Sequence, residues 1–222
     1  TVCDLGESEG RAYYAMELVD GVPLGDWRRE RSPGYHEIAQ LVEKVARALH
    51  FAHEHGVVHR DVKPENVIVR ADGEPQVMDF GLAREMGTSA RLSSPGQVMG
   101  TPSYMAPEQA RGDLDHVDRR SDVYSLGGVL YELLVGVPPH AGKTIEAVLD
   151  SVLRGEVVPP RRIARDVPLD LETICMKCLS TEPARRYATA AALADDLARY
   201  SRRETIVARR AAIRTHSSKA PV

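Results

Sequence analysis

In VVHRDVKPENVIV, residues 57–69, two runs of β-branched apolar residues enclose His59, Arg60, Asp61, Lys63, Glu65 and Asn66. Asp61 and Asn66 stand five positions apart, with Lys63 between them. A carboxylate so placed can take a proton from a hydroxyl. An ammonium can neutralise a phosphoryl group in transit, and an amide oxygen can hold a metal ion. A second polar point follows the run QVM, where Asp79 precedes Phe80 and a pliable Gly81. A carboxylate at a strand end is a candidate Mg²⁺ ligand. Together the two stretches supply a base, a cation, an amide and a metal-binding carboxylate.

These groups need a rigid frame, and the flanking sequence supplies one. Ile38, Leu41, Val42, Val45, Ala46 and Leu49 recur at helical spacing, which predicts a helix over 36–55 with Gly56 past its end. A short buried strand at Val57-Val58 is expected next. Val67–Val69 and Gln76–Met78 are apolar runs joined across Asp72-Gly73, which predicts a hairpin. Upstream, AYYAMELV (12–19) reads as a strand. Residues 122–134 read as a helix apolar on nearly every side, hence deeply buried. Residues 170–179 and 189–200 read as amphipathic helices. Residues 84–103, rich in Ser, Gly, Thr and Met, carry no period and read as a long functional loop.

The 222 residues are 43% hydrophobic and carry a net charge of −3, which suits one globular domain and supplies no basic field for nucleic acid. Three cysteines do not suggest a disulfide framework, so a reducing compartment is expected. The longest apolar stretch, 123–137, is interrupted by Glu132 and three glycines and is shorter than the roughly 20 residues of a membrane span. The opening TVCDLGESEG is polar and lacks an initial Met, which leads us to expect a fragment rather than a leader.

The order HRDVKPEN, MDFG, APE (106–108) resembles the eukaryotic-type, or Hanks-type, protein kinases. GTPSYMAPEQ (100–109), DVYSLGGVLYELLVG (122–136) and EPARRY (182–187) extend the resemblance from about residue 12 to about 200. APEQ and SDVYSLG resemble the bacterial serine/threonine branch. The resemblance implies an α+β fold: a mostly helical C-terminal lobe with short hairpins over 20–200, a remnant of the N-lobe sheet and hinge over 1–19, and a basic tail over 201–222. It implies ATP and Mg²⁺ as cofactors and a protein with a serine or threonine hydroxyl as acceptor.

By the same resemblance, Asp61 would accept the substrate proton, Lys63 would meet the γ-phosphate, and Asn66 and Asp79 would hold Mg²⁺. Thr101 would belong to the substrate platform. Met16 would guard the adenine pocket, the backbone of Glu17 and Val19 would bond the adenine edge, and Ile68 would floor it. His59 and Phe80 would stack beneath the site, Asp122 would hold the catalytic loop, and Glu108 would pair with Arg186. Arg60 would receive a phosphate from the segment 79–108, with Thr88, Ser89, Ser93 and Ser94 as acceptors. Gln97 stands where many relatives carry a phosphothreonine.

Other features of the family have no counterpart here. No Gly-rich loop and no lysine of the V-A-I-K type precede Met16, and the 15 residues before it are fewer than the roughly 55 that such a lobe needs. The isolated chain is therefore expected to turn over negligibly. A catalytic domain cytoplasmic in location is expected, with membrane anchoring beyond residue 222 and dimerisation of the full-length protein as further expectations. A non-catalytic, pseudokinase-like binding module is the competing reading. A small-molecule phosphotransferase is a third, opposed by Lys63, APE and the Glu108–Arg186 pair.

Plainer roles are expected elsewhere. His50, His53 and His55 read as helix-end and packing residues rather than a zinc site. Cys175 and Cys178 read as a buried helix face. Asp195 and Asp196 read as a solvated one.

Overall fold

The computed structural model describes residues 2–8, 11–80 and 102–208, with side chains throughout except at positions 2–5, 7, 8, 11–16 and 114. Strands β1 (Val2–Ser8) and β2 (Arg11–Met16) form an antiparallel pair, Gly6 opposite Tyr13. A second sheet has the order β3 (Gly21–Pro23), β4 (Val67–Arg70), β5 (Pro75–Val77), all antiparallel. The strand expected over 12–19 thus stops at Met16, and Leu18 stands almost fully in solvent. Gly21 begins β3 because the strand lies close against β4: a Cβ there would sit 2.5 Å from the Val69 carbonyl oxygen.

The helices make the bulk of the fold. They are α1 (Leu24–Arg31), α2 (Tyr35–Glu54), α3 (Pro107–Ala110), α4 (Arg119–Val135), α5 (Ile145–Arg154), α6 (Pro160–Ile163), α7 (Leu169–Cys178) and α8 (Ala190–Ser201). α2 lays the stripe Ile38, Leu41, Val42, Val45 and Leu49 against α8 and α4. Gly56 follows it in the left-handed region, as a helix-ending glycine does. α4 runs through the centre, buried at every position from Ser121 to Tyr131. A burial so complete hides the amphipathic signal, as the run of apolar residues predicted. α4 and α7 cross so tightly that a Cβ on Gly127 would overlap that of Cys178. Cys175 and Cys178 are both fully buried, the burial pushing the Cys178 thiol up to about 12.

Two readings need correction. Val57-Val58 is not a strand, and Val57 is substantially exposed. Its N–H goes back to the Ala52 carbonyl, and the following amides go to a side chain rather than to a ladder. Asp196 is not solvated. It is fully buried and accepts hydrogen bonds from the Tyr187 hydroxyl, from Arg199 and from the N–H groups of Val207 and Ala208. Only Asp195 faces out, paired with Arg47 at 2.8 Å. Ile206 and Ala208 are buried as well, so the chain stays packed through residue 208. No helix among the described residues is long and apolar enough to cross a membrane.

Candidate active site

The site grows from the C-terminal end of α2. The chain leaves α2, crosses 57–63, makes a 3-10 turn at Pro64–Asn66 and enters β4. Pro64 at the first position of that turn suits its fixed φ. β5 returns beside β4, and the Met78 N–H bonds the Asn66 carbonyl at 2.8 Å. Asp79 follows directly. The turn and the strand end are thereby held side by side.

The polar side chains converge on Asp61. Lys63 Nζ lies 2.7 Å from Asp61 Oδ2. Asn66 Nδ2 donates to the Asp61 carbonyl oxygen at 2.8 Å and to Oδ2 at 3.1 Å. Asp61 is exposed, Lys63 is half-buried, and Asn66 is buried. A carboxylate reachable from outside, held on its inner side by a cation and an amide, is oriented and still accessible to a substrate.

Asp122 on α4 holds the loop from beneath. Its buried carboxylate accepts the N–H of His59 at 2.8 Å and of Arg60 at 2.7 Å. His53 Nε2 supplies a third partner at 2.7 Å, sealed from water. His53 continues the stripe of α2 one turn past Leu49, so its inward direction was legible, though its partner was not. The His59 ring fixes its own tautomer. Nδ1 accepts the Asp61 N–H, so Nε2–H donates to the Met78 carbonyl at 2.7 Å. The ring lies against Phe80, centroids 4.8 Å apart. Arg60 and Asp79 both have left-handed backbone, φ 69° and 59°. Such backbone costs an L-residue about 1–3 kcal/mol and persists only where its surroundings enforce it.

Below this, Glu108 and Arg186 form a buried bidentate pair at 2.7 and 2.8 Å. Ser121 Oγ donates to the same carboxylate at 2.6 Å. Burial alone would raise the Glu108 carboxyl, but hydrogen bonds from Arg186 and Ser121 outweigh it and leave the group below its ordinary range.

For a metal, Asn66 and Asp79 provide one amide and one carboxylate oxygen on adjacent backbone. Among the described residues no group of three or more His, Cys, Asp or Glu side chains is placed to hold a metal ion. Two hard oxygen donors without a full protein cage would suit Mg²⁺, a cation that proteins seldom enclose with their own ligands alone. The backbone of Glu17 and Val19 lies between β2 and β3, and half-buried Ile68 on β4 pairs with Pro23. The side chain of Met16, together with Gly81, Thr88, Ser89, Ser93, Ser94, Gln97 and Thr101, lies outside the described residues.

The model of the protein kinase domain matches residues 1–198. The chain belongs to the protein kinase domain family. The kinase domain is 42% identical over 203 residues to the serine/threonine-protein kinase PknB of Mycobacterium leprae (strain TN), covering 89% of this chain and 32% of the relative. It is 39% identical over 207 residues to the tyrosine-protein kinase MasK of Myxococcus xanthus (strain DK1622), covering 87% of this chain and 32% of that relative. The chain thus spans about a third of the length of these relatives. Its fold matches a crystal structure of Rad53 in complex with AMP-PNP at a TM-score of 0.69 and 24% identity, over 87% of this chain and 48% of the other. The kinase domain is of the Hanks type found in bacteria, with a mostly helical lobe and short antiparallel strands.

Proposed function

We propose that the kinase domain, within its full-length protein, transfers the γ-phosphoryl group of ATP to a serine or threonine hydroxyl of a protein substrate. The observation that carries this reading is the exposed Asp61 carboxylate, held by Lys63 and Asn66. The substrate hydroxyl donates its proton to Asp61 as its oxygen bonds the γ-phosphorus. The bond from that phosphorus to the bridging oxygen of ADP breaks, and ADP leaves with the electron pair. Lys63 places its positive charge beside the transferring group, where a fixed charge in a sheltered site counts for more than in water. Asn66 and Asp79 would hold Mg²⁺, which when bound offsets the charge of the phosphate oxygens.

Met16, Glu17, Val19 and Ile68 are proposed to line the adenine site, and Thr101 to join the substrate platform. A cytoplasmic location for this domain and dimerisation of the full-length protein complete the proposal. A tyrosine acceptor is the second reading, favoured by the 39% identity to a protein named as a tyrosine kinase. Lys63 in the loop supports the serine/threonine reading.

The test uses the full-length protein with labelled ATP, Mg²⁺ and a generic protein substrate. Phosphoserine or phosphothreonine is expected in the product, and phosphotyrosine alone would establish the second reading. Asp61→Asn should lower kcat by about 10²–10⁴-fold with Tm unchanged. A variant as fast as the parent would remove the proposed mechanism.

A further inference from the structure

Gln109 makes two hydrogen bonds in opposite directions. Its Oε1 accepts the Ala106 N–H at 3.1 Å, capping α3. Its Nε2 donates to the Arg60 carbonyl oxygen at 2.8 Å. That carbonyl belongs to the peptide unit that joins Arg60 to Asp61. The N–H of the same unit, from Asp61, donates to His59 Nδ1 at 3.3 Å. The peptide from which Asp61 hangs is therefore held by a side chain at each end.

The restraint matters because Arg60 is left-handed at φ 69°. Asp122 holds the N–H side of that residue at 2.7 Å, and Gln109 holds its carbonyl side. With one hold released, the unit can turn toward commoner backbone and carry the Asp61 carboxylate with it. Gln109 is itself well anchored. It follows Glu108, whose carboxylate is locked to Arg186 and Ser121, and its helix opens on Pro107.

We propose that Gln109 is a positioning residue for Asp61. Its amide N–H ties the segment 102–111 to the catalytic loop and sets the peptide that aims the carboxylate. The role rests on the phosphotransfer reading for its catalytic meaning, but its structural content is independent of that reading.

Two variants of the full-length protein separate the possibilities. Gln109→Glu keeps an oxygen for the Ala106 N–H but, when ionised, has no proton for the Arg60 carbonyl. Gln109→Leu removes both bonds. Deuterium exchange at amides 58–63 should rise about tenfold in each, while exchange in α4 stays as in the parent. In steady-state kinetics, Gln109→Glu should lower kcat about tenfold with KM for ATP within about twofold, as expected for lost orientation rather than lost binding. Unchanged exchange at 58–63 in both variants overturns the proposal, whatever the rates. A parent protein without phosphotransfer, combined with faster exchange in the variants, leaves the positioning role standing and removes the kinase reading instead. A raised KM for ATP with kcat unchanged in Gln109→Glu also counts against it, because lost orientation lowers kcat.

Discussion

Arg186 spends every N–H it has on a single buried site centred on Glu108. Its two terminal nitrogens reach the Glu108 carboxylate at 2.7 and 2.8 Å. The remaining donors go to the carbonyls of Ser180, Arg120 and Thr181. The guanidinium also lies over the Tyr124 ring, 4.8 Å from its centroid. One side chain thus joins α3, the start of α4 and the loop before α8. A fully satisfied arginine of this kind is expensive to break, since its charge has nowhere else to go.

Glu108→Gln should therefore cost about 3–5 kcal/mol, because it leaves the buried guanidinium unpaired. The Glu108 carboxyl is held below its ordinary value. Its contribution is complete above the unfolded carboxyl range and is lost as pH falls through the lower folded value. Urea midpoints measured across acidic pH should fall steeply below about pH 4.5 in the parent and more gently in Glu108→Gln. Equal acid limbs would contradict the assignment.

His140 responds in a different window. It is fully buried, with Nε2 2.8 Å from the Tyr124 hydroxyl and Nδ1 2.9 Å from Ser151 Oγ. Burial pushes its pKa down to about 4. The folded state thus resists charging it, so stability present above about pH 6.5 is lost as pH falls toward that value. His140→Gln should start less stable at pH 7 by about 1–3 kcal/mol, for the lost bonds. Its stability should then vary less between pH 6.5 and 4 than that of the parent. Thermal melts at half-unit pH steps would show the difference in slope.

Asp196 predicts a local rather than a global effect. Asp196→Ala would leave the Tyr187 hydroxyl and the N–H groups of Val207 and Ala208 without their acceptor. Each orphaned group costs about 1–3 kcal/mol, and the cheapest escape is to let 204–208 detach. Trypsin should then cut after Arg202 or Arg203 at least about tenfold faster, well below the melting temperature. An unchanged cutting rate would show that Ile206 and Ala208 hold this segment without the carboxylate.

Much of the frame was readable because it rests on periodic burial. The stripe of α2 and the uniform apolarity of α4 name their own environments. Asp196 misled because it adjoins Asp195 and carries a charge. Yet it lies three residues past Leu193, on the side of α8 that faces inward. Charge favours a solvated face, but position prevails because four donors compensate the burial. Val57-Val58 misled in the opposite way. β-branched residues suggest a strand, but among the described residues no strand pairs with them, and Asp122 takes the amides of His59 and Arg60.

The sequence by itself determined which chemical groups the site holds and which segments bury their faces. Residue type and spacing along the chain carry both kinds of information, and neither requires distant contacts. The tertiary structure alone decided the pairings across long separations. His53 and Asp122 meet although they stand 69 positions apart, and Gln109 reaches Arg60 across a separation of 49. No local pattern encodes such bonds, because they exist only once α2, α3 and α4 have packed and brought their polar groups out of water together.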